Sequence, residues 1–122
     1  MSKTVMLIDD SYTLRQMVSI ALSHEGYEIV QAENGLDALD KLEGKKIDIF
    51  VCDVNMPKMD GISFVKALKD KKEYKYTPIM MLTTETEQSV KEDAKALGIR
   101  IWMTKPFQPT AIVLAVRKLL MP

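Results

Sequence analysis

The strongest constraint on the fold is a regular alternation of short apolar runs with segments of helical periodicity. Four runs are apolar on both faces, which is typical of parallel strands covered by helices on either side. These runs are Val5 to Ile8, Ile47 to Cys52, Ile79 to Leu82 and Ile99 to Met103. A weaker fifth run, Glu28 to Ala32, contains two polar residues and therefore suits the edge of a sheet. The alternation predicts an α/β fold with a parallel sheet.

Five further segments have helical spacing of their apolar residues and are predicted to be the helices that cover the sheet. They are Tyr12 to His24, Leu36 to Leu42, about Gly61 to Lys69, Glu85 to Leu97 and Pro109 to Leu120. Asp60 is placed to cap the third helix, whereas Gln108 is a poor cap for the fifth. The charged connection from 69 to 77 is expected to be a solvated loop.

Two of these helices have apolar patterns that bear on function. In the fourth helix only Val90, Ala94 and Leu97 form a clear inward stripe, so this helix is predicted to be thinly anchored. In the fifth helix Val113 and Leu114 fall outside the inward stripe and are predicted to be surplus apolar surface.

Length and charge narrow the classes of function that the chain can have. A chain of 122 residues suits one domain, spanning 1–122, and is too short for two ordinary domains. Its 17 basic and 17 acidic side chains cancel, and no segment concentrates one sign, so neither a nucleic-acid footprint nor a membrane-surface patch is indicated. No membrane span and no signal peptide are visible, and a cytoplasmic location is expected. The single cysteine, Cys52, excludes a disulfide framework and is predicted to be a small core residue.

Polar residues follow the predicted strands at the points where the strands end. They are Asp9 and Asp10 after the first strand, Asp53 after the third, Thr83 and Thr84 after the fourth, and Lys105 after the fifth. In open parallel sheets ligands bind at the carboxyl ends of the strands, so these groups are expected to converge. A single aspartate at a strand end is usually a turn or cap residue, but the coincidence of the whole set at one edge favours a site.

The chemistry of this set indicates a metal-assisted reaction at a carboxylate. Three carboxylates repel one another unless a cation lies between them, and Mg²⁺ is the natural candidate for an all-oxygen site without His or Cys. A carboxylate such as Asp53 can accept a phosphoryl group if the metal and a lysine offset the transferred charge. Lys105 can supply that charge, and the Thr83 hydroxyl can donate a hydrogen bond to a phosphoryl oxygen.

These residues resemble the receiver domains of two-component response regulators, in particular the single-domain, chemotaxis or CheY-like type, over the whole chain. The matching residues are Asp9-Asp10, Asp53, the run Met56 to Gly61, Thr83, and Lys105-Pro106-Phe107. The resemblance implies a flavodoxin-like, doubly wound sheet of five parallel strands in the order 2-1-3-4-5, with five helices, two on one face and three on the other.

The resemblance also implies roles for individual residues. Asp53 would be the phosphoacceptor; Asp10, Asp53 and the backbone carbonyl of Asn55 would bind magnesium, with Asp9 contacting it directly or through water. Thr83 and Lys105 would hold phosphoryl oxygens, and the Lys105-Pro106 bond is expected to be cis.

Several positions are expected to tune the switch and its output. Asn55 and Glu85 would face the attacking water and favour a short-lived acyl phosphate. Trp102 stands three residues before the lysine, where the family usually has Tyr or Phe, and Thr84 would narrow access to Asp53. The face made by the fourth helix, fifth strand and fifth helix is the expected docking surface, including Trp102, Lys95, Val113 and Leu114.

The family implies a signalling protein, not an enzyme in the ordinary sense, because it catalyses only its own phosphorylation and autodephosphorylation. A histidine kinase is the expected phosphodonor. With no output domain expected after Leu120, the signal would leave through a protein such as a flagellar switch component or a phosphorelay enzyme. The chain would act as a monomer or weak homodimer, without nucleic acid or membrane.

Three alternatives remain open from the residues. A phosphate hydrolase of the haloacid dehalogenase type needs a D-x-D arrangement and room for a cap, whereas Asp9 and Asp10 are adjacent here. A flavodoxin-like cofactor binder needs a phosphate loop that these carboxylates would repel. A receiver fold that serves only as an unphosphorylated interaction module is the third.

The only histidine, His24, is predicted to be a solvated surface residue.

Overall fold

The computed structural model describes residues 2–84, 88–99 and 101–121, with only the backbone described for 88–91. Strands and helices alternate along this part of the chain, as predicted. The elements are β1 (Thr4–Ile8), α1 (Tyr12–His24), β2 (Glu28–Ala32), α2 (Gly35–Leu42), β3 (Ile49–Asp53), α3 (Gly61–Lys69), a 3₁₀ turn (Lys72–Tyr74), β4 (Ile79–Thr83), α4 (Gln88–Ala96), β5 (Ile101–Thr104) and α5 (Pro109–Leu120).

The five strands form one parallel sheet in the order β2-β1-β3-β4-β5, which confirms the predicted topology. In the register between β1 and β3, Ile8 lies opposite Cys52, so the residues that follow β1 approach the end of β3. In the same way Asp53 lies opposite Leu82 of β4, and Thr83 lies opposite Thr104 of β5. The polar residues at the strand ends therefore share one edge of the sheet.

Each face of the sheet carries its own hydrophobic core. Alternate residues of β3 point to opposite faces, with Phe50 in one core and Val51 in the other. The first core receives residues of α2, α3 and α4, and the second receives residues of α1 and α5. Two helices therefore cover one face and three cover the other, as expected. Cys52 is fully buried in the first core, as predicted.

The helix starts near the polar edge are held by side-chain caps. Ser11 accepts from the Leu14 amide at 3.2 Å, and Asp60 accepts from the Ser63 amide at 2.8 Å. The predicted cap at Asp60 is thus confirmed. Gln108 makes no side-chain cap, which also agrees with the prediction. Caps of this kind satisfy amide donors that would otherwise lack partners in the first helical turn.

The loop between α3 and β4 differs from the sequence-based expectation at one residue. Tyr74 is 5% exposed, and its hydroxyl lies 2.9 Å from the Leu42 carbonyl oxygen and 2.6 Å from that of Lys45. Its ring meets the edge of Phe50 at a centroid distance of 5.7 Å. The prediction of a solvated loop is therefore wrong at Tyr74, because this side chain ties the loop to the core.

Helices α4 and α5 agree only in part with their predicted apolar patterns. In α4 Ala94 is fully buried, Leu97 packs partly buried just beyond the helix, and the side chain of Val90 lies outside the described residues. In α5 Leu114 is 60% exposed, as predicted, but Val113 packs partly buried against the second core, so its assignment as surplus surface is wrong. Among the described helices, none has the length and apolar character that crossing a membrane requires.

Candidate functional site

Three aspartates meet where β1 and β3 end. Asp9 follows β1 and is fully buried, Asp10 is exposed, and Asp53 is the last residue of β3 and only 5% exposed. One carboxylate oxygen from each residue lies within 4.8 Å of the others. The sequence predicted this convergence, and the pairing of β1 with β3 produces it.

Lys105 connects two of the three carboxylates. Its Nζ lies 2.7 Å from Asp9 Oδ2 and 3.3 Å from Asp53 Oδ2. Its backbone amide donates to the Thr83 carbonyl at 2.7 Å, and the bond to Pro106 is cis, as predicted. The ammonium therefore sits between a carboxylate of β1 and the carboxylate of β3, as a point charge that two anions share.

The acidic cluster combines three carboxylates with one ammonium, so negative groups outnumber positive ones. Burial, followed by the charge of Asp9, raises the pKa of Asp53 to about 6, and the opposing attraction of Lys105 does not cancel these effects. Burial by itself would lower the pKa of Lys105, but its hydrogen bond and charge interaction with Asp9 raise that pKa above its usual value. At neutral pH Asp53 is thus mainly ionised and Lys105 is protonated.

The donor set fits a small hard cation. It offers carboxylate oxygens only, without His or Cys, and this is the ligand chemistry that Mg²⁺ prefers. Asp9 is the least available of the three, because Oδ1 accepts from the Ser11 amide at 2.9 Å and Oδ2 accepts from Lys105. Asn55 lies exposed in the loop after β3.

The loop between β3 and α3 packs tightly against the backbone of Asp53. The Gly61 amide donates to the Val54 carbonyl at 2.8 Å, and a Cβ at Gly61 would overlap the carbonyl oxygen of Asp53. Lys58, in the same loop, has a φ of 67°, a conformation that favours glycine or asparagine. The sequence reasoning gave Gly61 no such role; a glycine at the first position of a helix, directly after its cap, was the available signal.

The other predicted residues that the structure describes differ in their exposure to solvent. Thr83 ends β4 and is 5% exposed, and Thr84 is exposed. Trp102 of β5 is partly buried against the core that α2, α3 and α4 cover. Glu85 lies outside the described residues. A concavity of about 470 Å³ adjoins the site, lined mainly by apolar groups of Leu14, Met17, Thr84, Lys105, Pro106 and Phe107.

Arg15 is a residue near this site that the sequence reasoning did not single out. Its guanidinium donates to the Asp9 carbonyl oxygen at 2.6 Å and to the Gln31 side chain at 3.2 Å. A positive residue five positions after the Asp pair, on the first turns of α1, was the only signal in the sequence. Arg15 therefore contacts the backbone that carries the acidic pair.

Comparison with known proteins gives concordant matches. The model of the response regulator receiver domain matches residues 5–117. The chain is 34% identical to the chemotaxis protein CheY1 of Helicobacter pylori over 110 residues, covering 88% of this chain and 89% of that protein. It is 36% identical to the alkaline phosphatase synthesis transcriptional regulatory protein PhoP of Bacillus subtilis over 120 residues, covering 98% of this chain but only 49% of that regulator.

A solved structure is similar to this chain in its fold as well as in its sequence. The chemotaxis protein CheY4 of Vibrio cholerae is 42% identical and superposes with a TM-score of 0.93, covering 98% of this chain and all of that chain (100%). The chain thus spans nearly the full length of two chemotaxis proteins and about half of a transcriptional regulator.

Proposed function

The chain belongs to the family of response regulator receiver domains, and we propose on that premise that Asp53 accepts a phosphoryl group and thereby controls binding to a partner protein. The observation that carries the proposal is the ionised, nearly buried Asp53 carboxylate, which shares one lysine with Asp9 inside a cluster of three acids. Such a group is poised to react and has its countercharge in place.

The nucleophile in this reaction needs no general base. The Asp53 carboxylate is mainly ionised above its pKa of about 6, so an oxygen can attack phosphorus directly. With a phosphohistidine donor on a histidine kinase, the P–N bond breaks, a P–Oδ bond forms, and the departing imidazole takes up a proton. The product is an acyl phosphate on Asp53.

Magnesium, held by the carboxylates of Asp9, Asp10 and Asp53 and by the backbone carbonyl of Asn55, would supply charge neutralisation for the transferred group. Asp9 is proposed to contribute directly or through water, since both of its oxygens already accept hydrogen bonds. Lys105 and Thr83 are proposed to hold phosphoryl oxygens. Lys105 already lies 3.3 Å from the acceptor carboxylate, and the charge that phosphorylation adds increases its attraction.

The output is proposed to be a binding event on the face of α4, β5 and α5. Leu114 supplies exposed apolar area there, and Trp102 supplies an aromatic group that is partly buried. Thr83 leads from the site toward α4, so a shift at Thr83 would be transmitted to that helix and to Trp102. Thr84 and Glu85, which follow Thr83, would tune access and phosphoryl lifetime together with Asn55.

The pathway proposed is chemotaxis, with a flagellar switch component as the partner and a phosphorelay enzyme as the alternative. Support comes from relatives and neighbours whose names give chemotaxis and which match this chain over nearly its whole length. The proposed setting is the cytoplasm, and the proposed form is a monomer or weak homodimer. The protein would catalyse only its own phosphorylation and dephosphorylation.

The test uses acetyl phosphate as the phosphodonor. The parent protein, with Mg²⁺, should gain the mass of one phosphoryl group, read by intact mass spectrometry, and should gain none in excess EDTA. Asp53→Asn should gain none under either condition, whereas Asp40→Asn, which neutralises an exposed aspartate of α2, should behave as the parent does. A change in Trp102 fluorescence that accompanies the added mass supports the proposed route to β5. Absence of any added mass on the parent would contradict the proposal and favour an unphosphorylated interaction module.

A further inference from the structure

Arg15 joins α1 to the ends of two strands beside the acidic cluster. Its Nη1 donates to the Asp9 carbonyl oxygen at 2.6 Å, and its Nε donates to Gln31 Oε1 of β2 at 3.2 Å. The guanidinium carbon also lies 5.7 Å from the centroid of the Tyr12 ring. One planar side chain therefore has a partner on β2, a partner at the end of β1 and an aromatic neighbour on α1.

Gln31, the second partner of Arg15, is itself held in place. Its Nε2 donates to Gln16 Oε1 at 3.2 Å, and its backbone carbonyl accepts from Lys41 Nζ at 2.8 Å. Arg15 is therefore bound to a fixed acceptor on β2, not to a freely moving side chain. The bond to Gln31 therefore orients the guanidinium, which in turn donates to the Asp9 carbonyl oxygen.

The Asp9 carbonyl belongs to the peptide that links Asp9 to Asp10. Both carboxylates extend from the Cα atoms on either side of this peptide, so its orientation decides where their oxygens lie. The Asp9 amide is already fixed, because it donates to the Ala32 carbonyl at 3.1 Å. That amide belongs to the preceding peptide and holds the chain on the N-terminal side of Asp9. Arg15 binds the carbonyl of the next peptide and so orients the peptide between the two acids itself.

We propose that Arg15 is a positioning residue for divalent-cation binding, which it supports by holding the Asp9–Asp10 peptide through the Asp9 carbonyl. The inference rests on the proposed metal site and adds a residue outside the ligand set. Partners that orient metal ligands commonly change metal affinity by 10–100-fold when they are removed. Arg15 acts through the backbone of the ligands and does not contact the cation.

The positive charge of Arg15 allows an experiment to distinguish positioning from charge, because the two effects change Mg²⁺ affinity in opposite directions. A guanidinium near a cation site repels the cation, so its removal would strengthen binding if charge were its only contribution. If position is the contribution, removal weakens binding. Arg15→Met, which keeps the side-chain stem, is therefore predicted to weaken Mg²⁺ binding about tenfold. Arg15→Lys retains the charge but cannot serve both acceptors at once, and a loss of about threefold is expected.

The experiment is calorimetric titration of the metal-free proteins with Mg²⁺, with metal-free thermal unfolding measured in parallel. Arg117→Met is the matched control, because Arg117, in the last turn of α5, has a side chain that is 52% exposed and pairs with Glu25, just after α1. It should bind Mg²⁺ as the parent does. Gln31→Met removes the β2 anchor of Arg15, together with the bond from Gln31 to Gln16, but leaves the bond from Arg15 to the Asp9 carbonyl, and we expect a smaller loss in the same direction. The amide NMR signal of Asp10, whose nitrogen is in the oriented peptide, should shift in Arg15→Met before any metal is added.

The outcomes separate the inference from the proposed function. Unchanged or tighter Mg²⁺ binding by Arg15→Met, with a binding-competent parent, overturns the inference and leaves the proposed function intact. A lower unfolding temperature with unchanged affinity also overturns it, because that result assigns Arg15 a structural role only. A parent that binds no Mg²⁺ overturns both. If Arg15→Met does not fold, Arg15→Lys and Gln31→Met carry the same comparison.

Discussion

Gly61 is the position at which a single added methyl group should damage the site most. A Cβ there would overlap the Asp53 carbonyl oxygen and lie 3.0 Å from the Asp53 carbonyl carbon and 2.9 Å from the Met81 methyl group. The helix start cannot retreat freely, because the Gly61 amide donates to the Val54 carbonyl at 2.8 Å. Gly61→Ala must therefore displace either the end of β3 or the start of α3.

The size of the effect follows from what the methyl group meets. Overpacking against atoms that cannot move away costs about 1–3 kcal/mol, and loss of the Gly61–Val54 hydrogen bond adds about 1 kcal/mol. We therefore expect Gly61→Ala to lower the free energy of unfolding by about 3 kcal/mol. Because the displaced carbonyl belongs to Asp53, phosphorylation by acetyl phosphate should also be slower in the folded protein.

Gly35→Ala is the matched control, because Gly35 is likewise the first residue of a helix and follows an Asn cap. A Cβ there would meet the Met59 side chain, 2.6 Å from Cγ and 2.8 Å from Sδ. The flexible thioether can rotate away, whereas the Met59 Cβ, at 3.0 Å, stays in place, so the expected cost is about 1 kcal/mol, well below that at Gly61. Urea unfolding of both variants without metal, followed by circular dichroism, measures the difference. Equal costs within about 0.5 kcal/mol would refute the assignment of Gly61 as a backbone contact of Asp53.

Three smaller predictions use the same urea assay. Asp53→Asn should stabilise the metal-free protein by about 1 kcal/mol at pH 7, roughly a third of the ~3 kcal/mol that the rise of the Asp53 pKa from 3.8 to about 6 implies without solvent screening. Because the pKa of Asp53 is raised in the folded state, this group favours folding most below pH 4, where it is protonated, and this contribution is lost as the pH rises through about 6. The difference in unfolding free energy between Asp53→Asn and the parent should therefore vanish at pH 4. Lys58→Asn should raise the free energy of unfolding by about 0.5 kcal/mol, because asparagine tolerates the left-handed φ of 67° better than lysine does, whereas Lys58→Ala should leave that free energy unchanged. Tyr74→Phe should cost about 1 kcal/mol, since its hydroxyl contacts two carbonyls, whereas Tyr76→Phe, at a residue 88% exposed, should have no effect.

The topology and the site edge were predictable from sequence because both depend on connectivity. Once the apolar runs are parallel strands, the residue after each run must lie at the same edge, and this places Asp53 and Lys105 together. Strand limits were less predictable. Ile47 is buried, but the pairing of β1 with β3 begins at Ile49, so burial and ladder membership differ by two residues.

The residues that sequence reasoning missed share a dependence on tertiary distance. Arg15 reaches Gln31, 16 residues away, and Tyr74 reaches Leu42, 32 residues away. Neither residue differs locally from an ordinary surface side chain. The close approach of Gly61 to Asp53 is likewise set by how the loop folds back, which the sequence marks only by the absence of a side chain.

In the proposed phosphorylation, the position of Lys105 would link the low stability of the acidic cluster to the reactivity of Asp53. Its ammonium is closer to Asp9 (2.7 Å) than to Asp53 (3.3 Å), so the charge of Asp53, the proposed acceptor, is the less well compensated of the two. Burial and the charge of Asp9 therefore raise the pKa of Asp53 more than Lys105 lowers it, and the Asp53 oxygen is held less tightly by a hydrogen-bond donor than that of Asp9. A donor bound strongly to the nucleophile would stabilise the ground state and slow the attack. Once negative charge grows on a transferred phosphoryl group, the same ammonium needs to move only a short distance to pair with it. In the proposed reaction, sharing Lys105 with Asp9 would keep the Asp53 carboxylate available as the nucleophile and leave the ammonium free to pair with the phosphoryl group, at the cost of some stability in the metal-free state.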